Sequence, residues 1–335
     1  MSKLPEKVKD AFIVAELKDR LIHQGKVRDT YKINDEALLV VATDRISIFD
    51  FVLAAQIPHK GEVLTALTHF WLMQVLDDLP HHLFASKNYP NRNLAYELAQ
   101  KNPLIPLKRS LAVCRTFIPP YEMIYRWHLG GSAYKDYEKT GKVGGVTFAR
   151  GIQKWDRLAK PVFTPSTKSA SGHDVNITAK EFLAHMSRAG YDAMRLFELA
   201  YNRAYIYAAS RGILILDTKF EGLHMIADEV LTPDSSRFTT PDSWRKAMAE
   251  KKEPTFYDKE PIREWGKTIP TPFMENGQPV IGINNLDPEN QEHIDFVHSI
   301  AVPAHIIIEA SRRYQNIFER LVGMPLKDYQ KKHLL

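Results

Sequence analysis

Ile213-Leu-Ile-Leu-Asp217-Thr-Lys219-Phe-Glu221-Gly-Leu-His-Met-Ile-Ala-Asp228 opens with four consecutive aliphatic side chains and then sets an ionisable residue at every second position. The aliphatic run predicts a buried strand over 213–216, with Gly212 ending the helix before it and 223–227 returning as a second strand. Alternation places Asp217, Lys219 and Glu221 on one face, and the hairpin is expected to gather them with Asp228. Like charges so placed repel unless something offsets them. Lys219 does part of this, and Mg²⁺, a hard cation usually held by one or two carboxylates with phosphate oxygens and water, would do the rest. A solvated strand face with internal ion pairs would alternate in the same way; the adjoining Asp228-Glu229 favours metal.

Upstream, Thr178 followed three residues later by Glu181 has the form of a capping box, and apolar spacing without proline predicts one long helix from there to Ser210. Residues 5–21 carry apolar positions at near-helical spacing and predict an entry helix. Residues 27–33 and 37–42 read as strands joined by a turn at Asn34-Asp35-Glu36. A helix is expected over 61–79, ended by Pro80, then an irregular stretch over 87–106 and a short apolar run over 110–117. Pro119-Pro120 mark the lobe boundary, dividing the chain into 1–118 and 119–335. Downstream, the Pro-, Asp-, Ser- and Lys-rich region 233–272 is expected to run over the surface as loop. Residues 303–322 read as an amphipathic helix closed by Gly323 and Pro325.

With 335 residues, 44% hydrophobic and 25% charged, the chain can bury a substantial core, which excludes a disordered protein. No apolar run approaches the roughly 20 residues that span a bilayer, so no membrane partner is expected. The N-terminus lacks the apolar stretch of a signal peptide. Cys114 is the single cysteine, which rules out an internal disulfide and fits a reducing cytoplasm, the expected location. A net charge of +5 suits phosphate-bearing ligands. The basic residues are dispersed and form no block of the kind that grips nucleic acid, so no nucleic-acid partner is expected.

Other stretches carry groups suited to anions. Gly25 permits close backbone approach, and Lys26 and Arg28 beside it could meet phosphate oxygens, although a hairpin glycine with two solvated bases would look the same. Asp44, Arg45 and Ser47 directly follow a buried strand, as a binding edge or a helix cap would. Arg126 and the Gly130-Gly131-Ser132 turn combine a fixed cation with an approachable backbone, as would a simple loop. Residues 163–174 pack hydroxyls, Lys168, His173 and Asp174 into a dozen positions, a density unusual for a connector. Arg237, after a turn with two serines, suits bidentate recognition of carboxylate or phosphate.

In this order and spacing the segments Gly25-Lys-Val-Arg-Asp29, Ala42-Thr-Asp-Arg-Ile-Ser47, Lys60-Gly-Glu-Val-Leu-Thr65, Phe163-Thr-Pro-Ser-Thr-Lys168, Asp217-Thr-Lys-Phe-Glu221 and Asp228-Glu-Val-Leu-Thr-Pro-Asp-Ser-Ser-Arg-Phe238 closely resemble the SAICAR synthetase family. The resemblance implies an α+β, two-lobed SAICAR synthase-like fold, with a small antiparallel β N-terminal lobe and a larger ATP-grasp-like α/β lobe. It implies an ATP- and Mg²⁺-dependent ligase of purine biosynthesis that joins L-aspartate to the carboxylate of carboxyaminoimidazole ribonucleotide (CAIR), releasing SAICAR, ADP and phosphate.

On that resemblance Gly25, Lys26, Arg28, Glu122, Asp217 and Lys219 would hold the nucleotide, and Glu221 and Asp228 the metal. Asp44, Arg45, Ser47, Arg126, Ser132 and Arg237 would face the substrates, and Lys168, Asp174 and Lys219 the reacting groups. CAIR and L-aspartate are thus the expected partners, and a homo-oligomer is compatible with the sequence. His59, Trp127 and Val175 depart from the common family pattern and bear on the choice of amine or ribonucleotide. Competing readings are a diverged relative with another amine or carboxylate, a small-molecule phosphotransferase of related fold, and a nucleotide- or RNA-binding module.

Overall fold

The computed structural model describes residues 4–5, 15–84, 105–168 and 174–335. Most of the expected entry helix and of the irregular stretch over 87–106 lies outside them, as does His173. Residues Ala15–Arg20 form a short 3₁₀ segment leading into β1 (Leu21–Gln24).

Strands β2 (Arg28–Lys32) and β3 (Ala37–Ala42) form the expected hairpin. Asn34 sets its turn, because its side-chain oxygen accepts from the backbone N–H of Glu36 (2.9 Å) and Ala37 (2.8 Å). A small antiparallel ribbon, β4 (Arg45–Ile48) with β5 (Phe51–Gln56), follows and leads into α1 (Lys60–Phe70). This helix is buried almost all round, as a helix covered on several sides must be. Gly61 lets it start hard against β3, since a Cβ there would lie 2.6 Å from the Ala42 carbonyl oxygen. The turn Trp71–Val75 extends it in π geometry, so the helix expected to reach 79 ends earlier.

β6 (Ser110–Cys114) completes an antiparallel sheet of order β1-β2-β3-β6. β7 (Tyr121–His128) then begins a second sheet. It is followed by α2 (Gly131–Thr140), the ribbon β8 (Lys142–Val143) and β9 (Val146–Thr147), β10 (Arg157–Phe163) and β11 (Ser166–Thr167). Next come α3 (Ala179–Ser210), β12 (Leu214–Gly222), β13 (Ile226–Ala227) and β14 (Ser236–Thr239). The sheet runs β10-β7-β12-β13, with β11 pairing β7 and β14 pairing β12. The fold is α+β.

The capping box at Thr178 is present in both directions, but α3 breaks at Ser187 (φ 50°, ψ −138°); the apolar spacing carries no sign of this. The hairpin expected after β12 is also different. β12 continues through Glu221 to Gly222, where φ is +126° and a Cβ would lie 2.1 Å from the Met225 carbonyl oxygen, so only two residues return as β13. Asp217 and Lys219 consequently pair with β7 instead of β13.

Region 233–272, expected as surface loop, holds β14, α4 (Pro241–Glu250) and α5 (Glu260–Lys267), with Phe256, Asp258 and Ile262 buried. Thr240-Pro241 is the start signal: the Thr240 hydroxyl accepts from Ser243 N–H (3.2 Å), and proline suits the first turn. The chain ends with the ribbon β15 (Pro270–Glu275) and β16 (Gln278–Ile281), then α6 (Gln291–Ser299), α7 (Ala304–Val322) and α8 (Leu326–His333). One apolar cluster runs from Ala42 through α1, α3 and β12 to α7 and α8. Among the described residues no single helix is long and apolar enough to cross a membrane.

Candidate active site

Pairing of β12 with its neighbours decides the arrangement. Asp217 stands opposite Arg126 of β7 on one side and Arg237 of β14 on the other, and its Oδ2 accepts from both guanidinium groups. Arg126 is further held by Thr164 Oγ1 (2.9 Å) and the Gly130 carbonyl (3.4 Å), while Arg237 lies over the Trp155 ring, 5.3 Å from its centroid. Ser132 donates to Asn176 Oδ1 at 3.4 Å from the first turn of α2. Burial pulls on the Arg237 guanidinium, but Asp217, Asp258 and Glu260 outweigh it and raise its pKa. Two fixed cations around one carboxylate leave a net positive charge at this end of the sheet, which suits an anion.

Along the same face of β12 the chemistry changes. Lys219 Nζ donates to Glu122 Oε1 (2.7 Å), whose other oxygen accepts from Ser166 Oγ (3.2 Å). Burial lowers Lys219, yet Glu122 and Glu221 more than restore it, so its pKa is raised and the amine stays protonated. Two residues on, Glu221 Oε2 accepts from Lys168 Nζ at 2.7 Å. Across the turn, Asp228 receives Arg28 Nη2 at 2.7 Å, and Glu229 receives Arg28 Nη1 at 2.8 Å. Asp228 holds the left-handed region (φ +58°), uncommon for a residue with a side chain.

Glu221 and Asp228 respond to one another. Burial and then the Asp228 charge raise the Glu221 carboxyl, opposed by Lys168 and Lys219. Burial also works against Asp228, but Arg28 with Lys168 and Lys219 holds it below the usual carboxylate range. Among the described residues no cluster of three or more His, Cys, Asp or Glu could cage a metal. A carboxylate pair of this kind fits Mg²⁺ bridged to phosphate and water instead of an all-protein site.

Several expected residues lie elsewhere. Arg45, expected to face substrate, points inward: its side chain and that of Asp29 are both 0% exposed and ion-paired, and it also donates to the Gly25 carbonyl at 3.1 Å. A buried guanidinium needs such a partner, so the pair fixes the β2 entry. Asp44 is clamped by Arg109 (2.7 and 2.6 Å) and accepts from Gly61 N–H (2.9 Å), which makes it a cap for α1. Ser47 is buried on β4. Lys26 is exposed and pairs with Asp50 at 2.7 Å. Gly25 closes a tight turn, its N–H donating to the Arg28 carbonyl (2.7 Å). Asp217, expected with Lys219 to hold the nucleotide, is occupied by Arg126 and Arg237 and lies four residues along an extended strand from Glu221, roughly 13 Å. Asp174 is exposed beyond an undescribed stretch.

Sequence reasoning did not single out His82 and took Glu229 only together with Asp228. Both line an apolar recess of Val40, Ala42, Leu64, Leu111 and Val113 behind Arg28. Glu229 was marked only by adjacency to Asp228, and His82 reaches the site through chain-distant packing.

The SAICAR synthetase family model matches residues 21–280. The chain is 38% identical over 318 residues to phosphoribosylaminoimidazole-succinocarboxamide synthase of Pasteurella multocida, covering 92% of this chain and 99% of that protein. Identity to the Chromobacterium violaceum protein of that name is 40% over 311 residues, covering 90% and 98%. Among solved structures, SAICAR synthase of Saccharomyces cerevisiae complexed with SAICAR superposes with a TM-score of 0.72 at 29% identity, covering 94% of this chain and 99% of that one. A SAICAR synthetase in complex with ADP, at 18% identity and a TM-score of 0.58, shares the fold.

Proposed function

This chain belongs to the SAICAR synthetase family, and from that premise we infer that it is the ATP-dependent ligase joining L-aspartate to the carboxylate of CAIR in purine biosynthesis. The observation that carries the reading is the graded face of β12 and the turn beyond it: a two-arginine anion site at Asp217, a protonated Lys219 in the middle, and Glu221 paired with Asp228 just after β13.

A carboxylate is a poor electrophile, so a phosphoryl group transferred from ATP must first turn one of its oxygens into a leaving group. Lys219, Lys168 and Arg28 would offset the triphosphate charge. Glu221 and Asp228 would hold Mg²⁺, which when bound neutralises phosphate oxygens and orients them. Arg126 and Arg237, with Ser132 at the start of α2, would take the ribonucleotide phosphate, and Asp217 keeps both guanidinium groups aimed. The amine of aspartate then forms the amide bond as phosphate departs with the carboxylate oxygen. That amine must shed a proton, and Asp174 is the acceptor we assign. Confining reactants on one rigid face supplies the orientation such a two-step displacement needs. We place the two lobes at 1–118 and 119–335 and the enzyme in the cytoplasm, a location that its single cysteine fits.

Purified protein with ATP, Mg²⁺, CAIR and L-aspartate is expected to release ADP only when aspartate is present and to form the amide. A stable phosphorylated alcohol formed without aspartate would overturn this reading in favour of a phosphotransferase.

A further inference from the structure

Away from the graded face, one buried ion pair has no part in the scheme above. Lys60 Nζ lies 2.6 Å from Asp234 Oδ2, and the Tyr314 hydroxyl donates to Asp234 Oδ1 at 2.5 Å. The Lys60 side chain and Tyr314 are 0% exposed and the Asp234 side chain 4%. Burial opposes ionisation of Asp234, but Lys60 and Lys259 overcome it, so the group remains an anion. Lys60 opens α1 and Tyr314 lies in α7, so three chain-distant segments converge on one carboxylate. Taking two charges out of water costs more than their attraction generally returns, so stability alone accounts poorly for such a pair.

The triad fixes the loop that precedes Arg237. Within it the backbone N–H groups of Ser235 and Ser236 donate to the Thr232 carbonyl at 3.1 and 2.8 Å. One flank is tied to β12, where the Lys219 N–H donates to the Ser235 carbonyl (2.9 Å) and the Thr218 and Ser236 hydroxyls meet at 2.7 Å. The other flank is tied to the helices through Asp234. Arg237 emerges from this double attachment directly onto Asp217.

We propose that the Lys60–Asp234–Tyr314 triad is a positioning device for Arg237, setting the loop on β12 and hence the reach of the guanidinium toward the ribonucleotide's anionic group. The proposal rests on the functional reading above and adds residues that touch no substrate.

The decisive variant is Lys60→Met with Asp234→Leu, which removes both charges of the pair together, while Tyr314 loses its acceptor and Lys259 a neighbouring anion. Expected is a KM for CAIR raised at least about tenfold, with the KM for ATP unchanged and the chain still folded, its melting temperature lowered by the orphaned hydroxyl. Tyr314→Phe, which keeps the ion pair, should raise the same KM less. A folded double variant with wild-type KM for CAIR overturns the proposal, as does a parallel rise of both KM values with lost stability. If the double variant does not fold, Tyr314→Phe decides, and a wild-type KM for CAIR in it overturns the proposal. Absence of aspartate-dependent turnover in the wild-type chain would instead overturn the functional reading itself.

Discussion

Glu221 and Asp228 show how far a side chain's behaviour is set by what surrounds it. Glu221 is buried and Asp228 half-buried, and their pKa values move in opposite directions, because burial and the Asp228 charge raise Glu221 while Arg28 outweighs burial at Asp228. Glu221→Gln and Asp228→Asn are expected to lower ATP-dependent turnover by about 100-fold or more while shifting the melting temperature by only a few degrees. Equal loss of both, measured by steady-state kinetics and calorimetry, would assign these residues to the fold. His69 makes a different case. Burial, and then His333 and His81, lower its pKa to about 4, against about 6.5 for an unfolded histidine. The unfolded chain therefore binds this proton first as pH falls. Stability is intact above about 6.5 and is lost toward 4, by up to about 3 kcal/mol from this group. Denaturation midpoints followed between pH 7 and 4 should decline, and His69→Asn should flatten that decline. A variant with the same slope as wild type would remove His69 from the account.

Elements were legible where one short segment contains its own reason. The Asn34 turn, the Thr178 capping box, the Gly212 stop (φ +70°) and α7 ending at Gly323 (φ +80°) all depend on contacts within a few residues. Thr178→Ala should accordingly cost about 1 kcal/mol of stability and leave the KM for ATP unchanged; chemical denaturation and initial-rate kinetics measure the two. Illegible elements depend on distant partners. α4 and α5 sit in a segment whose proline and lysine content reads as loop, and the buried Phe256 between them and Ile262 of α5 find partners elsewhere in the chain. β12 runs past its aliphatic start because β7 pairs with its charged half.

Over the whole molecule, the two sheets share a seam beneath the site. The His82 N–H donates to the Ile226 carbonyl (3.0 Å), the Cys114 N–H to the His82 carbonyl (2.7 Å) and the Phe84 N–H to the Ala112 carbonyl (3.1 Å). With α1 also packed on α7 and α8, unfolding is expected as one calorimetric transition. Mg-ATP at about 100 times its Kd should move that whole transition upward, by about 2.7 kcal/mol of added stability. Two separable transitions, with only one responding, would show the seam to be weak.

The sequence by itself determined which groups are available and where the chain turns: the order of the motifs, the alternation along β12, and the caps whose hydrogen bonds close locally. Tertiary structure decided the pairing. Arg45 is turned inward onto Asp29, Asp217 accepts from two arginines, and Asp234 is gripped from α1 and α7. The physical reason is that an ion must be neutralised by whichever opposite charge packing brings within a few ångströms, and packing joins residues far apart in the chain, as Arg28 and Asp228, 200 positions apart, are.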